Sequence, residues 1–347
     1  VVKKNPTQNL FSALHRNQFT EELSQKTFDL LVIGGGITGA GIALDAVSRG
    51  MSVALVEKQD FAAGTSSRST KLIHGGLRYL KQFEFALVNE VGHEREIVYR
   101  NAPHLVIPEK MMLPITEDGS LNMYSSSLGI YIYDLLAGVK RAERRKMLSK
   151  AETLAHEPML KKEKLNGAAL YIEYRTDDAR LTIEILKTAV GKGALCLNYI
   201  SAEEFIYEEG KVKGAKVHDV ISGNDFEIRA KKVVNACGPW VDSLRENDHS
   251  LKGKRLHLTK GVHIVFEHET LPLSQSLYFD VGDGRMIFAI PRGNATYVGT
   301  TDTNYTGNLE HPSVTKQDVD YLLAAINAMF EGTILTEKDI VSSWSGL

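Results

Sequence analysis

The stretch "FDLLVIGGGITGAGIALDAVSRGMSVALVEK", Phe28 to Lys58, constrains this chain more than any other. Phe28 to Ile33 is a short run rich in branched apolar residues, the composition of a strand buried on both faces. Gly34, Gly36 and Gly39 follow at the spacing G-x-G-x-x-G. An apolar pattern through Ile42, Ala43 and Val47 then predicts a helix that Gly50 stops. Ser52 to Val56 predicts a second strand, closed by Glu57. Each part has a mechanical task. Gly34 permits a tight turn, Gly36 lets backbone approach a pyrophosphate, and Gly39 lets the helix pack on the strand. The phosphates lie at the positive helix N-terminus, so Ile37 and Thr38 belong to the site. Glu57, followed by Lys58, accepts hydrogen bonds from adenosine ribose hydroxyls, and its charge disfavours a 2'-phosphate. Strand, loop, helix, strand and acid occur in order, which a lone glycine motif does not provide.

The fingerprint suits NAD and FAD equally. The next stretch, "QDFAAGTSSRSTKLIHGGLRYL", separates them. A nicotinamide enzyme would continue into another strand–helix repeat after Glu57. This segment instead offers hydroxyls and backbone N–H groups at Thr65, Ser66 and Ser67. The dense run Lys71, Leu72, His74, Gly75, Gly76, Arg78 and Tyr79 follows. An isoalloxazine ring needs donors around its pyrimidine edge and small residues where backbone passes its face. FAD is therefore the expected cofactor.

The bulk properties bound the rest. At 347 residues two domains are expected, because single cores stop growing below that length. Apolar content of 43% with 24% charged residues is that of a globular protein. A net charge of -2 argues against a whole-protein grip on nucleic acid. Cys196 and Cys237 are far apart, form no metal-ligand cluster and read as reduced core residues; no metal is expected. No signal peptide is evident in the first residues, which points to the cytoplasm. A short helix around Leu10, Phe11 and Leu14 is expected to dock on its own protein rather than on a membrane.

The residues quoted so far, with "RTDDARL", "VVNACGPWVD", "TKGVHIVF", "IPRGNATYVGTTDT" and "SSWSGL", closely resemble the FAD-dependent, aerobic glycerol-3-phosphate dehydrogenase family from Phe28 onward. The resemblance implies an amino-acid-oxidase-like α/β flavoprotein: a Rossmann-type FAD-binding domain with a substrate domain on a mixed or antiparallel sheet. It implies oxidation of sn-glycerol 3-phosphate to dihydroxyacetone phosphate, with electrons passed to a membrane quinone and the protein peripheral on the inner membrane face. A homodimer is compatible with it. The family continues beyond "SSWSGL" with Arg-Pro, a further Gly-rich flavin segment, more basic substrate ligands and a helical domain. Two alternatives stay open at this point: glycerol-3-phosphate oxidase, which reduces dioxygen to hydrogen peroxide, and a non-catalytic nucleotide-binding protein.

The predicted organisation is discontinuous. Segments 25–95, 165–245 and 338–347 are expected to form the FAD-binding domain, and 96–164 and 246–337 the substrate domain. "APHLVIPEKMMLPI", broken by Pro103, Pro108 and Pro114, reads as an excursion out of the first domain. Leu121 to Leu136 reads as a helix, and the basic run Lys140 to Lys146 as a solvated helix face. "DDARLTIEILKTAVGKGALCLNYI" reads as helix, turn and strand, with Ile200 counted at the cofactor site. The following segment reads as a meander that returns at Ala236-Cys237-Gly238-Pro239-Trp240, where small residues again admit a cofactor. Lys254 to Thr303 predicts strands of the substrate sheet, with "VGDGR" as a hairpin turn.

The implied substrate carries a dianionic head and loses a proton from its C2 hydroxyl together with a hydride from C2. Its site needs cations for the phosphate and a base of near-neutral pKa. Arg78 and Tyr79 follow the Gly-Gly pair and are the leading ligand candidates. Lys260 and His263 share one run, but an odd separation puts them on opposite strand faces unless Gly261 marks a bulge. His263 is the candidate base, with His74 second, although His74 is expected rather to pack against the flavin. Arg292 reads either as a second phosphate ligand or as part of a surface turn.

Overall fold

A computed structural model describes residues 11–74, 84–119, 123, 131, 144–332 and 334–347. The chain divides into two compact units, Val1–Ser67 with Asp178–Leu258, and Arg68–Asp177 with Thr259–Leu347. These boundaries correct the sequence expectation at four places. Residues 68–95 and 165–177 belong to the second unit, as does the segment 338–347, whereas 246–258 stay with the first. The reason is strand pairing: Leu72 and Ile73 pair with Arg175 and Tyr174, and Ile340–Gly346 pairs with the strand that carries His263.

In chain order the elements begin with α1 (Arg16–Gln25), β1 (Thr27–Ile33), α2 (Ile37–Ser48), β2 (Val53–Glu57), β3 (Leu72–Ile73) and α3 (Phe85–Asn101). They continue with β4 (Ile107–Thr116), β5 (Lys146–Ser149), α4 (Lys150–His156), β6 (Leu165–Arg175), α5 (Asp178–Gly191) and β7 (Leu195–Asn198). Next come the meander β8 (Ile200–Glu208), β9 (Lys211–Asp219) and β10 (Asp225–Asn235), and then α6 (Val241–Asn247). The chain closes with β11 (Thr259–Glu267), β12 (Ser276–Asp280), β13 (Met286–Arg292), β14 (Ala295–Gly299), β15 (Thr303–Asn304), α7 (Lys316–Met329) and β16 (Ile340–Gly346).

The first unit is a six-stranded sheet in the order β7-β2-β1-β10-β9-β8. β7, β2, β1 and β10 are parallel, and the predicted meander adds antiparallel pairs at one edge. Parallel strands need cover on both faces. Ala40, Ala43 and Val47 of α2 and Leu186 and Val190 of α5 cover one face of the sheet. Phe19 and Leu23 of α1 pack in the core of the opposite face. The N-terminal helix therefore docks on its own unit, but through Phe19 and Leu23 rather than Leu14, which is exposed. α2 ends as predicted: Gly50 has φ +82°, and the N–H groups of Gly50 and Met51 reach back to the carbonyls of Val47 and Ala46.

Among the described residues the second unit is built on a ten-stranded sheet, β15-β11-β14-β13-β12-β4-β6-β3, with β16 added to β11 and β5 to β6. One face packs on α7 through Val262, Ile264, Phe266, Leu322 and Ile326. The other carries an aromatic layer that includes Phe288, Tyr297 and Trp344. The "VGDGR" turn joins β12 to β13 as expected, while β11 begins at Thr259 rather than near Lys254. The proline-broken segment lies outside the first unit, as expected, and forms the strand β4, with Pro108 opposite Tyr174 and Pro114 opposite Ala168 of β6. Their even separation puts both missing N–H groups on one edge of β4. The β12 side of that strand is laddered only at Met111 and Met112, so an edge is free to carry both prolines. Leu121 to Leu136 and the basic run at Lys140 lie almost wholly outside the described residues. Among the described residues no helix is long and apolar enough to cross a membrane.

Candidate functional site

The glycine loop of the first unit behaves as its spacing requires. Gly34 has φ +115°, donates its N–H to Val56 at 2.8 Å, and has no room for a Cβ against the carbonyl of Ala236. A Cβ on Gly39 would overlap the Gly34 carbonyl, so only glycine lets α2 sit this close to the turn. Gly36 is the N-cap of α2 and offers no side-chain cap. The Ser66 hydroxyl accepts the Ile37 N–H at 2.9 Å and lies 3.1 Å from where a Gly36 Cβ would be. Gly36 is half-buried, and Ile37 and Thr38 are exposed. Apart from the Ile37 N–H taken by Ser66, the positive end of α2 carries no side-chain cap, the arrangement a pyrophosphate needs.

Around this loop the structure gathers most of the predicted cofactor residues of the first unit. Glu57 accepts the N–H of Gly35 at 2.7 Å and that of Gln59 at 2.8 Å, so its carboxylate is oriented by the loop itself. The Lys58 ammonium sits 4.7 Å from the centroid of the Trp240 ring, and Gly64 packs on the same indole. Trp240 is half-buried. Thr65, Ser66 and Ser67 form one 3-10 turn, with the Ser67 N–H on the Gly64 carbonyl. Ala236 donates to Ile33, and Gly238 takes φ +52°. Ile200 is 1% exposed, in the core of the first unit. Gly35 was missed by the spacing argument, although it is the middle glycine of the run. A Cβ there would lie 2.7 Å from the Phe61 ring and 2.8 Å from the Glu57 side chain.

The remaining candidates lie in the second unit. Gly75, Gly76, Arg78 and Tyr79 fall outside the described residues. Lys71 has φ +60°, its carbonyl accepts the Thr176 N–H, and its ammonium lies 5.6 Å from the centroid of Trp344. Leu72 pairs with Arg175 in β3, and the exposed ring of His74 is 5.8 Å from Phe288. Arg292, at the end of β13, donates to the Thr176 carbonyl at 3.4 Å.

Lys260 and His263 occupy opposite faces of β11, as their odd spacing requires. No bulge occurs at Gly261, which pairs regularly with Gly346; the register shift is at Val265 and Phe266. Lys260 is 4% exposed and corrects an expectation. Its ammonium is 2.6 Å from Asp318 and 2.9 Å from the Ser313 carbonyl, which commits it to holding α7 on the sheet. Burial raises the Asp318 pKa, but hydrogen bonds from Lys260 and Thr315 outweigh it and hold the carboxyl below its ordinary range.

His263 lies on the aromatic face and is 2% exposed. Its cross-strand neighbours are Gly299 on β14 and Trp344 on β16. The imidazole stacks on Trp344 at 4.6 Å and 9°, and a Cβ on Gly299 would overlap the ring from the β14 side. Nε2 is 3.0 Å from the Thr70 hydroxyl, whereas Nδ1 is buried with no hydrogen-bond partner among the described residues. Burial, with the Lys71 charge adding to it, lowers the His263 pKa to about 3. The ring is therefore a neutral imidazole at physiological pH. Its titration is displaced far below the near-neutral range that the sequence suggested for a base.

A doubly wound sheet with an uncapped glycine loop, joined in one chain to a large mixed sheet, defines a two-domain dinucleotide-dependent flavoprotein of the amino-acid-oxidase type. Residues 29–347 match the family model described as FAD dependent oxidoreductase, and the chain belongs to that family. FAD is thus the dinucleotide that the loop around Gly36 is built to hold. The chain is 58% identical over 337 residues to the aerobic glycerol-3-phosphate dehydrogenase of Bacillus subtilis, spanning 97% of this chain and 61% of that protein. It is 56% identical over 338 residues to the Staphylococcus aureus protein of the same name, again with 61% of the relative covered. The crystal structure of glycerol-3-phosphate dehydrogenase from Bacillus halodurans, complexed with FAD, superposes with a TM-score of 0.82 at 50% identity. That match covers 97% of this chain and 60% of the other. Glycine oxidase from Bacillus cereus shares the fold, with a TM-score of 0.66 at 21% identity over 92% of this chain and 84% of that one.

Proposed function

We propose that the protein oxidises sn-glycerol 3-phosphate to dihydroxyacetone phosphate with FAD and passes the electrons to a membrane quinone from the inner membrane face. The observation that carries this reading is the 58% identity to the Bacillus subtilis dehydrogenase, sustained over 97% of this chain. Bound FAD supplies the hydride acceptor. The backbone at Gly36, Ile37 and Thr38 takes its pyrophosphate and Glu57 its ribose, while Arg78 and Tyr79 grip the substrate phosphate.

In this reading His263 is the base that takes the C2 hydroxyl proton. The supporting feature is a ring that stays neutral at physiological pH. Only an unprotonated imidazole accepts a proton, and a base contributes about 10²–10⁴-fold to a rate. Lys260 takes no direct part, because it is bound to Asp318.

The test is anaerobic reduction of the full-length flavoprotein by glycerol 3-phosphate. It is followed by turnover with a quinone analogue and by peroxide release in air. Flavin bleaching and quinone-dependent turnover with little peroxide are expected. Rapid peroxide formation with no quinone turnover identifies an oxidase, and absence of bleaching removes the catalytic reading altogether.

A further inference from the structure

The chain ahead of α1 crosses the end of the first unit where the dinucleotide belongs. β2 and β7 are parallel neighbours that end side by side, with Glu57 opposite Asn198. Ligands of such sheets bind outside these carboxyl ends. The segments that follow the two strands are tied together: the Tyr199 N–H donates to the Gln59 carbonyl at 3.0 Å, and the Asn198 amide to the Asp60 carboxylate at 2.8 Å. The start of α1 is fixed at the same place. Arg16 donates to the Tyr199 carbonyl at 3.3 Å and to the buried Asp219 carboxylate at 2.7 Å. Further back along the chain Phe11 stacks on Phe61, with ring centroids 5.7 Å apart and planes at 22°. Residues 11–16 therefore run from the end of β7 to the segment that follows β2.

Phe61 links this arm to the glycine loop. The point where a Gly35 Cβ would stand is 2.7 Å from the Phe61 ring and 2.8 Å from the Glu57 Cβ, so the ring packs against the loop and the acid together. Glu57 accepts the Gly35 N–H at 2.7 Å, and the Gly35 carbonyl accepts the Ala62 N–H at 3.1 Å. Gly35, Glu57 and Phe61 are thus tied into one group, with half-buried Phe61 on its outer side against Phe11. Phe11 is 38% exposed, whereas the docking of α1 is carried by Phe19 and Leu23.

We infer that residues 11–16 form a strap over the adenosine end of the FAD site. Arg16 anchors the strap. Phe11, acting through Phe61, is a positioning residue that keeps Gly35 and Glu57 in cofactor-binding geometry and slows the release of FAD. Groups already held in their bound arrangement cost less to order when the ligand binds. The inference rests on the reading of Glu57 as the ribose ligand, and it adds the segment that keeps that carboxylate in place.

The test is the rate at which full-length holoprotein releases FAD. Phosphodiesterase in the solution cleaves released FAD to fluorescent FMN and prevents rebinding. An aromatic stack is worth roughly three- to tenfold in an equilibrium, so Phe11→Ala should release FAD faster by that factor. Phe11→Trp, which keeps a ring, should restore slow release. The exposed position of Phe11 leaves the core intact in both variants. An unchanged release rate in Phe11→Ala overturns the inference.

Coupling between a ligand and the segment that holds it is reciprocal, so FAD should in turn hold the strap. Trypsin should cut after Arg16 more slowly in FAD-saturated than in FAD-depleted protein, and Phe11→Ala should lose most of that protection. Faster FAD release without FAD-dependent protection of Arg16 makes Phe11 a general packing residue and overturns the strap. Glu57→Gln keeps the shape and removes the charge, which separates the two readings. Unchanged release there, with fast release from Phe11→Ala, supports the strap and removes Glu57 from the ribose. The reverse pattern supports Glu57 and overturns the strap.

Discussion

The buried imidazole of His263 should make the second unit acid-sensitive by a calculable amount. In the folded chain its pKa is about 3, against an ordinary value of 6.5. Below pH 6.5 the unfolded chain therefore binds a proton that the folded chain refuses. The stability associated with this residue is complete above pH 6.5 and is lost as pH falls from there towards 3. At pH 5.5 the loss depends only on the unfolded value, because the folded ring is still neutral. It is RT ln(1 + 10), or about 1.4 kcal/mol, rising to about 2.7 kcal/mol at pH 4.5. The perturbation is His263→Asn, which does not titrate and fills a similar space. Urea unfolding of full-length wild type and variant at pH 8 and pH 5.5 gives a double difference from which the other titrating groups cancel. The chain has two tryptophans, so in a Trp240→Phe background Trp344, stacked on the ring, reports the second unit. Wild type should lose about 1.4 kcal/mol more than the variant between the two pH values. Equal losses would mean that the ring takes up its proton in the folded state, and the argument from burial would fail. The same argument places any ascending limb in flavin reduction that is due to His263 well below pH 6.5.

The ion pair of Lys260 and Asp318 is almost fully buried, so Lys260→Met should cost about 3–5 kcal/mol by stranding a carboxylate. The double change with Asp318→Leu should recover most of it, apart from about 1 kcal/mol for the lost helix cap at Thr315; a double variant no more stable than the single one contradicts this. Gly36→Val should abolish FAD retention through gel filtration, because the branched side chain meets Ser66 and covers the exposed helix end. Full flavin absorbance in that variant would refute the assignment of the loop. Arg78→Ala should weaken glycerol 3-phosphate roughly ten- to a hundredfold more than uncharged glycerol, the worth of a charge-assisted hydrogen bond. Equal factors for the two substrates would remove Arg78 from the phosphate site.

The first unit was legible because its constraints are local. The positive φ of Gly34 and the approach of Gly39 to the Gly34 carbonyl are backbone geometry within a dozen residues, and the strand–helix–strand order follows from hydrophobic period. That the proline-broken segment is a strand, β4, was not legible for the same reason. A rule about local hydrogen bonds cannot see which edge of a strand its partners leave open. The boundary between the units was misplaced because strand pairing between 72–73 and 174–175, and between β11 and β16, joins segments far apart in the chain.

By itself the sequence determined the dinucleotide loop, the opposite faces of Lys260 and His263, and the family. These depend on spacing and residue type alone. Tertiary structure decided what the charged and polar groups do. Lys260 faces inward like an apolar residue because α7 brings Asp318 to it. His263 loses its proton because Gly299, Trp344 and Thr70, each distant in sequence, exclude water from one side chain. Solvation is a property of the assembled surroundings, and no residue carries it in its own letter.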